Sequence, residues 1–430
     1  MSTEGTEVSA GRPAVAVVGA GVSGLTAAYL LQRTHDVTLY EGQDRLGGHA
    51  HTHDLPGRGG AKVGVDSGFI VHNDRTYPQL RKLFAELGVE VAPTEMSMSV
   101  RCEGCGLEYA GGRGARAVFA QPRRAASPRF LTMLAQVERF NRRARRYLAE
   151  TGPDDLATLG QFLANGGFSS YFVRHYALAF VSCVWSTGHA DALRYPARYL
   201  FAFLDHHGLL AVAGRDSWAT VVGGSRSYVN RLAGTLPAIR VGVAVRGVTR
   251  KPDGVEVHDD ADDLRTFDRV VLATHADEAL ALLTDPTDLE QEVLDAFTYS
   301  RNETVLHTDA SVLPSAPAAR ASWNYLLRGC DADEDRVLVS YWMNHLQHLD
   351  SDVDYLVTLN PADRPAADQV LARMTYTHPV YTPRAVAAQR RLPELATGST
   401  VFAGAYHGWG FHEDGCQSGV AAAAHFGVTW

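Results

Sequence analysis

The chain has 430 residues, of which 46% are hydrophobic and 20% are charged, and its formal net charge at pH 7 is −8. A chain of this length and composition can bury a large core, which favours a globular enzyme of two intertwined domains. It has no basic cluster that indicates nucleic acid as a partner, and no apolar run long enough to cross a bilayer.

Residues 1–12 are polar and rich in glycine and lack the apolar stretch of a signal peptide, so they are predicted to form a disordered tail. The five cysteines do not have the spacing of a disulfide framework, which indicates a cytoplasmic protein. Cys102 and Cys105 flank Glu-Gly between two strand-like runs and are interpreted as two thiols beside a hairpin turn. A zinc site needs two more ligands at similar spacing; the sequence shows none, so no metal site is predicted.

A glycine-rich turn near the N-terminus carries the strongest functional signal. The segment Val15–Leu31 predicts a strand, a Gly-x-Gly-x-x-Gly turn and a helix. Gly19 permits the tight turn, Gly21 lets a pyrophosphate approach the backbone, and Gly24 lets the helix pack closely on the sheet. Glu41 ends the next predicted strand, where a carboxylate accepts the ribose hydroxyls and repels a 2′-phosphate. The pattern predicts a dinucleotide site that disfavours NADP.

Later segments return to the same domain. They predict a helix opened by two glycines, a strand-like stretch, a hairpin, a buried strand ending in Ala-Thr, a last buried strand and a turn into a final helix: Val222–Leu232, Ile239–Val248, Val255–Val257, Phe267–His275, Thr400–Tyr406 and Phe411–Ala423. The predicted fold class is α/β, with a discontinuous Rossmann-like domain of residues 13–95, 215–275 and 395–430 that carries an extra β-meander. An α+β substrate domain is predicted for residues 96–214 and 276–394.

Motifs along nearly the whole chain resemble the FAD-dependent oxidoreductases of the amine-oxidase superfamily. They resemble most a group of predicted NAD/FAD-binding proteins associated with cyclopropane-fatty-acid synthases. The matching motifs are Gly47–Thr52, Val65–Val71, Asn73–Pro78, Arg301–Asp309, Ser322–Tyr325, Tyr341–Asn344, Thr358–Pro361, Gln389–Pro393 and Phe402–Gly415. The resemblance implies an amine-oxidase-like topology and redox chemistry, and it suggests a lipid-modifying methyltransferase as a partner by analogy.

The resemblance also implies FAD rather than NAD, because such flavoproteins follow the strand-end acid with an arginine and a Gly-Gly pair. The residues expected to contact non-covalent FAD are Gly19, Gly21, Ser23, Gly24, Glu41, Arg45, Gly47, Gly48, His49, Gly68, Phe69, Val245, Gly404, Gly415 and Cys416. The helix entered at Gly415 is expected to face the flavin N1–C2=O edge and to stabilise its anionic reduced form. Cys416 near this helix start is expected to pack rather than to form a covalent flavin link.

The catalytic candidates are His407, Tyr406, His412 and Tyr341, because they lie beside the predicted flavin-contact helix or in the substrate half. Imidazole titrates near neutral pH, but one sequence does not choose between these histidines and His307, His345 or His378. His49, His51 and His53 alternate along a strand-like run, and lining the cofactor turn is favoured over metal binding because no carboxylates accompany them. The aromatic residues expected to line a pocket or pack in a core are Trp185, Trp323, Tyr325, Tyr341 and Trp342.

Three functions remain open. The first is hydride transfer between flavin N5 and a carbon of an apolar substrate (acyl, polyene or lipid-like), forming a double bond. The second is carbon–carbon double-bond isomerisation without net redox change, and the third is a non-catalytic FAD-binding partner of a lipid methyltransferase. Amine oxidases of the superfamily position a water at N5 with a lysine of the substrate half. The chain's lysines are Lys62, Lys82 and Lys251, so amine oxidation is disfavoured.

Overall fold

A computed structural model of the protein describes residues 11–210, 217–331, 336–361 and 364–430, so most of the predicted N-terminal tail lies outside the described residues. The chain divides into two compact units, both discontinuous. The first unit comprises Met1–Gly48, Val229–Asp295 and Arg391–Trp430, and the second comprises His49–Tyr228 and Ala296–Arg390. Residues 49–95 therefore belong to the second unit, whereas the sequence analysis grouped them with the FAD-binding domain.

The strands, in chain order, are β1 Ala14–Val18, β2 Asp36–Glu41, β3 Thr52–Pro56, β4 Lys62–Asp66, β5 Val71–Asn73, β6 Val91–Thr94, β7 Met98–Cys102, β8 Leu107–Gly111, β9 Trp218–Val221, β10 Ile239–Val241, β11 Val245–Lys251, β12 Gly254–Asp259, β13 Leu264–Phe267, β14 Arg269–Leu272, β15 Thr298–His307, β16 Trp323–Leu327, β17 Val339–Trp342, β18 Leu356–Leu359, β19 Val370–Val380 and β20 Thr400–Phe402.

The helices, in chain order, are α1 Val22–Leu31, α2 Pro78–Leu87, α3 Ala115–Val118, α4 Pro128–Glu150, α5 Leu159–Gly166, α6 Ser170–Phe172, α7 Ala179–Trp185, α8 His189–Arg194, α9 Ala197–His206, α10 Arg226–Ala233, α11 Ala276–Leu282, α12 Asp288–Leu294, α13 Met343–Gln347, α14 Pro383–Gln389 and α15 His412–His425. None of the helices in the described ranges is both long and apolar enough to cross a membrane.

The first unit contains a parallel sheet in the order β10-β2-β1-β14-β20 and an antiparallel meander β11-β12-β13. Strand β1 is a run of valine and alanine that is buried on both faces, as expected in a parallel sheet covered by helices. Helix α1 follows it and buries every residue except Tyr29. This arrangement confirms the predicted α/β class, with a Rossmann-like sheet and an extra meander.

Two predicted strands of this unit are shorter than expected. The stretch Ile239–Val248 divides into β10 and β11, because Gly242 adopts φ +70° and turns the chain from the parallel sheet into the meander. The last strand ends at Phe402 rather than Tyr406, and Ala405–His407 form a 3₁₀ turn instead.

The second unit is built on a mixed sheet in the order β19-β15-β18-β17-β16-β7-β8. Strands β7 and β8 form the hairpin predicted around Cys102 and Cys105, and β7 pairs in parallel with β16. Helices α5 and α7 are not continuous, because Gly167 caps α5 in the left-handed conformation and a π-helical turn, Val173–Leu178, precedes α7. The unit thus has the predicted α+β composition.

Candidate functional site

The glycine-rich turn of the first unit has the geometry of an anion cradle. Gly19 adopts φ +100°, and a Cβ on it would lie 2.7 Å from the Ala273 carbonyl oxygen, while a Cβ on Gly24 would lie 1.9 Å from the Gly19 oxygen. The protein's own packing therefore requires both glycines. Gly21 differs, because its backbone is ordinary (φ −71°, ψ −179°) and nothing lies within 4 Å of its Cβ position. That open space at a helix start fits an approaching pyrophosphate.

The start of α1 is electrostatically open to an anion. No side chain caps its N-terminus, and its first turn carries no acidic residue. Glu41 lies beside it: one carboxylate oxygen accepts the Ala20 N–H at 2.9 Å and the other accepts the Gln43 N–H at 2.9 Å. These bonds hold the carboxylate at the mouth of the turn, the place that a ribose-binding acid requires.

The loop after β2 packs against the glycine-rich turn. The Arg45 guanidinium donates to the Gly48 carbonyl at 2.8 Å, and the Gly47 N–H donates to the Ala20 carbonyl at 2.9 Å. Gly48 adopts φ +56°, and a Cβ there would lie 3.2 Å from the Gly21 Cα. The arginine and the Gly-Gly pair thus lie next to the open Gly21, and their contact with a cofactor stays a prediction.

The segment leading to Val245 also starts beside this mouth. The Val243 N–H donates to the Glu41 carbonyl at 2.9 Å, and Gly42 lies against Ala244, whose Cβ would be 3.1 Å from a Cβ on the glycine. Val245 itself is the first residue of β11. The backbone expected on the adenine side therefore lies next to Glu41, the predicted ribose-binding acid.

Helix α15 packs closely on α1, with glycines of α15 at the contact. A Cβ on Gly415 would lie 2.6 Å from the Val22 side chain, and a Cβ on Gly419 would lie 2.4 Å from the Ser23 carbonyl. The helix begins at His412 rather than at Gly415. Gly415 and the buried Ser23 are consequently placed by helix–helix packing, a role that the sequence analysis did not assign to them.

An acidic residue in the first turn of α15 already accepts a backbone N–H at the N-terminus of this helix. Asp414 accepts the Phe411 N–H at 2.8 Å, and burial raises the pKa of Asp414 to about 7. Glu413 in the same turn is also buried. The expected stabilisation of an anionic flavin by this helix end is therefore opposed by carboxylates that the sequence analysis did not weigh.

Cys416 faces the protein interior. Its side chain is fully buried and its sulfur accepts a hydrogen bond from the Thr26 hydroxyl at 3.6 Å. Burial raises the pKa of the Cys416 thiol to about 12, which disfavours the reactive thiolate. These contacts place Cys416 in the packing between α1 and α15.

Buried Tyr406 and half-buried His407 form an aromatic pair in the first unit, with ring centroids 4.7 Å apart. The Tyr406 ring packs on Gly404, where a Cβ would lie 2.3 Å from the ring. Burial raises the pKa of Tyr406 and lowers that of His407 to about 4, so both are uncharged at pH 7. The His407 Nε2 is buried and has no hydrogen-bond partner among the described residues, as expected of an atom that faces a bound group.

The candidate acid–base role of these residues and of His412 stays a prediction. With a pKa near 4, His407 is suited to hydrogen bonding in its neutral form rather than to storing a proton at pH 7. His412 is the first residue of α15.

His49, Gly68 and Phe69 come together in the second unit. The Phe69 N–H donates to the His49 carbonyl at 2.8 Å, and a Cβ on Gly68 would lie 2.1 Å from the same oxygen. Gly68 is therefore required for the approach of two backbone segments. The three residues share one local structure, and their contact with a cofactor stays a prediction.

His51 and His53 belong to a polar network with Ser67 and Tyr376, which we call the Tyr376 cluster. The Tyr376 hydroxyl lies 2.9 Å from the His51 Nδ1 and 2.7 Å from the Ser67 hydroxyl, which in turn lies 2.9 Å from the His53 Nε2. The sequence analysis missed Tyr376 and Ser67, because strand register rather than a local motif brings them here. Each of these two histidines thus has a hydrogen-bond partner on the protein.

Asp66 is a structural acid. It is fully buried and accepts hydrogen bonds from Thr52, from the Ser225 backbone and hydroxyl, and from Gln347. Burial raises the pKa of Asp66 to about 6 despite these donors. This role does not follow from the sequence alone, since Ser225 and Gln347 lie 159 and 281 residues from Asp66 in the chain.

The aromatic residues of the second unit divide into two groups. Trp185 and Tyr325 belong to the core: Trp185 packs on Phe203 at 4.7 Å between ring centroids, and the Tyr325 hydroxyl lies 2.8 Å from a ring nitrogen of buried His189. Trp323 and Tyr341 are partly buried, in edge-to-face contact at 5.6 Å, beside an apolar cluster that includes Leu306 and Met343. Burial raises the pKa of Tyr341, so it remains a neutral phenol.

The Cys102–Cys105 pair has neighbours that the sequence analysis did not find. His175 and Cys330 bring ligand atoms to it, and the four ligand atoms lie within 4.8 Å of one another. The expectation that no further ligand accompanies the pair is therefore wrong. All five cysteines are free thiols.

A parallel sheet with an open glycine turn, an acid at the end of the next strand and an adjoining Gly-Gly loop is the arrangement of a dinucleotide-binding fold. A model of the flavin containing amine oxidoreductase family matches residues 22–425. The chain belongs to that family, which implies a flavin cofactor.

Similar solved structures support the fold. The CLA-producing fatty acid isomerase from P. acnes superposes with a TM-score of 0.69 at 17% identity, covering 97% of this chain and 99% of that one. Cyclohexylamine oxidase from Brevibacterium oxydans gives a TM-score of 0.70 at 15% identity, with coverage of 96% and 98%. At these identities the likeness shows the amine-oxidase-like fold alone.

Curated relatives match only short segments. The flavin-dependent L-tryptophan oxidase RebO of Lentzea aerocolonigenes is 47% identical over 62 residues, which are 14% of this chain and 13% of the relative. Tryptophan 2-monooxygenase of Allorhizobium ampelinum is 52% identical over 48 residues, 11% of this chain and 7% of the relative. The chain thus matches a small fraction of either relative's length.

Proposed function

We propose that the protein binds FAD non-covalently and transfers a hydride between flavin N5 and a carbon of an uncharged, apolar substrate, forming a double bond. An acyl chain, a polyene or another lipid-like molecule fits this description. The cofactor half of the proposal is supported by the open Gly21 and by Glu41, which together suit the ADP portion of a dinucleotide.

The proposed substrate class rests on the hydrogen bonds that the buried acids of the second unit already make. Among its described residues, the buried carboxylates are Asp66 and Glu108. Asp66 is enclosed by the donors described above, and Glu108 accepts the backbone N–H groups of Ser315 at 2.9 Å and Ala316 at 2.7 Å. Both acids are occupied by the protein itself, so neither is available to pair with a substrate ammonium group.

The lysines support the same conclusion. Lys62, Lys82 and Lys251 are all exposed, so none of them is the buried lysine that positions a water in amine oxidases of the superfamily. The partly buried Trp323 and Tyr341 supply an apolar, aromatic surface that suits a hydrocarbon.

The chain's residues have distinct parts in this proposal. When bound, FAD supplies a hydride acceptor at N5. The α1 N–H groups would hold the pyrophosphate and Glu41 would hold the ribose. Tyr406 and His407, uncharged at pH 7, offer hydrogen bonds without placing a charge in the site.

Flavin reduction under anaerobic conditions tests the proposal. Purified protein is mixed with unsaturated and saturated acyl substrates, polyenes, primary amines and L-tryptophan, and the flavin absorbance is followed. We expect bleaching with an apolar substrate and none with the amines. Bleaching by amines alone would refute the substrate class.

Product analysis separates the runner-up functions. A shifted double bond formed anaerobically without an added acceptor would favour the isomerase, whereas peroxide formed with oxygen would favour the oxidase. A third outcome is that no substrate reduces the flavin although a lipid methyltransferase requires this protein for its activity. That outcome would favour the function of a non-catalytic FAD-binding partner.

A Cys416→Ala variant tests non-covalent binding. We expect it to retain flavin like the parent chain, because Cys416 bonds to Thr26 in the interior. Acid precipitation of either protein is expected to release all of the flavin into the supernatant. Flavin that stays with the parent pellet but not with the Cys416→Ala pellet would contradict this expectation.

A further inference from the structure

The four ligand atoms that meet at the tip of the β7–β8 hairpin have separations that are characteristic of one kind of site. The Cys102 and Cys330 sulfurs lie 3.8 Å apart, and the Cys105 sulfur lies 3.6 Å from the His175 Nε2. Bonds of about 2.3 Å to sulfur and about 2.05 Å to nitrogen at tetrahedral angles give S–S and S–N separations of roughly 3.8 and 3.6 Å. These two observed separations agree with the expected values.

The hairpin tip is shaped for two neighbouring thiolates. The Cys105 N–H points at the Cys102 sulfur and the Leu107 N–H points at the Cys105 sulfur, so backbone donors face both. Gly106 adopts φ +63°, which permits the tight turn. Gly104 admits the third cysteine, because a Cβ there would lie 2.8 Å from the Cys330 backbone nitrogen.

His175 is oriented as a ligand. It is buried in the π-helical turn, a local distortion often found at functional sites. Its Nδ1 lies 3.1 Å from the Tyr171 carbonyl, which only accepts, so Nδ1 carries the hydrogen. The lone pair on Nε2 then faces Cys105, the arrangement in which a backbone carbonyl orients a metal-binding imidazole.

Nearby cations suit the charge of such a site. Three thiolates and a neutral imidazole around a dication carry one net negative charge. The Arg124 guanidinium donates to the Cys105 carbonyl at 2.7 Å, and the Arg174 guanidinium donates to the Cys330 carbonyl at 3.3 Å. Both guanidinium groups therefore lie beside the cysteines whose carbonyls they bind.

We propose that Cys102, Cys105, His175 and Cys330 bind one structural Zn²⁺ ion. Sulfur and imidazole ligands in a tetrahedron favour zinc over harder cations, and four protein ligands leave no position for substrate. The ion would tie the hairpin tip, the π-helical turn and the chain after β16 together within the second unit. Binding converts three thiols to thiolates and releases their protons to solvent.

Metal analysis of the full-length flavoprotein tests the proposal. The protein is purified under reducing conditions without a polyhistidine tag or chelator and incubated with zinc sulfate, and unbound metal is removed by gel filtration. We expect about one zinc per chain, and at least a tenfold (~1.4 kcal/mol) weaker affinity in Cys105→Ser and Cys330→Ser. Cys183→Ser is the matched control, because Cys183 is buried in α7 outside the cluster.

Cobalt substitution gives a readout that does not depend on a variant's folding. Co²⁺ added to the metal-free parent chain should give the intense d–d and thiolate charge-transfer bands of tetrahedral sulfur coordination, and zinc should abolish them. A parent chain that takes up no zinc or cobalt when reduced would overturn the proposal. So would a disulfide between Cys102 and Cys330 that persists in the reduced preparation, or a loss of zinc in Cys183→Ser equal to that in Cys330→Ser.

Discussion

A Gly21→Val variant is expected to fold like the parent chain and to be purified without flavin. The valine is compatible with the fold, because Gly21 has φ −71° and nothing lies within 4 Å of its Cβ position. The same open space is where the pyrophosphate approaches, so the new side chain would displace the phosphates from the α1 N–H groups. Flavin content per chain should fall at least about tenfold, as measured by absorbance after acid release.

Gly398→Val is the matched control for this experiment. Gly398 belongs to the same unit, its φ lies outside the left-handed region, and nothing lies within 4 Å of its Cβ position either. It lies in the turn before β20, away from the glycine-rich turn in sequence. Equal flavin in the two variants would contradict the assigned phosphate position, and a shared loss would indicate a general folding defect.

An Asp66→Ala variant is expected to lose about 3–5 kcal/mol of unfolding free energy. The substitution removes the common acceptor of the Thr52 hydroxyl at 2.5 Å, the Ser225 hydroxyl at 2.7 Å and the Gln347 amide at 2.8 Å. Buried donors left without an acceptor are costly because water does not reach them. Chemical denaturation followed by circular dichroism measures the change.

The neighbouring Asp54→Ala is the control, because Asp54 lies on β3, the partner strand of the Asp66 strand β4, and pairs with Arg226 while 45% exposed. Exposed ion pairs contribute little, so its loss should stay below about 1 kcal/mol. An Asp66→Ala chain no less stable than Asp54→Ala would refute the structural role.

Asp66 should also give stability a distinct pH dependence. Burial raises the folded-state pKa of Asp66 from 3.8 to about 6, so the folded chain retains a proton that the unfolded chain has released. The stability that the protonated Asp66 adds to the folded chain is fully present below about pH 4 and is lost as pH rises through about 6. The corresponding change in unfolding free energy is about 3 kcal/mol. The stability of the parent relative to Asp66→Asn should fall over that range, and a pH-independent difference would contradict the assignment.

The cofactor half of the site is predictable from the sequence because its elements are local. Gly19, Gly21, Gly24 and Glu41 lie within one strand–helix–strand segment, so each glycine's role follows from its place in the turn. The break at Gly242 escaped prediction because apolar residues continue on both sides of it. Only the left-handed φ at that glycine shows where the chain leaves one sheet for another.

Contacts that depend on tertiary structure could not be predicted in this way. His175 lies 70 residues from Cys105, and Cys330 lies 228 residues from Cys102. A search for paired ligand motifs fails here, because the third and fourth ligands are single residues on a π-helical turn and a loop. The partners of Asp66 are hidden for the same reason, since Ser225 and Gln347 come from separate parts of the second unit.

The close packing of α1 on α15 also has a consequence for synthesis. Thr26 and Cys416, which meet across these helices, are 390 residues apart in the chain. A ribosome completes the glycine-rich turn early but adds Gly415 and Gly419 only after both inserted segments have been made. During that interval the buried face of α1 lacks its final covering, so the nascent chain is expected to need chaperones and to acquire its flavin after release.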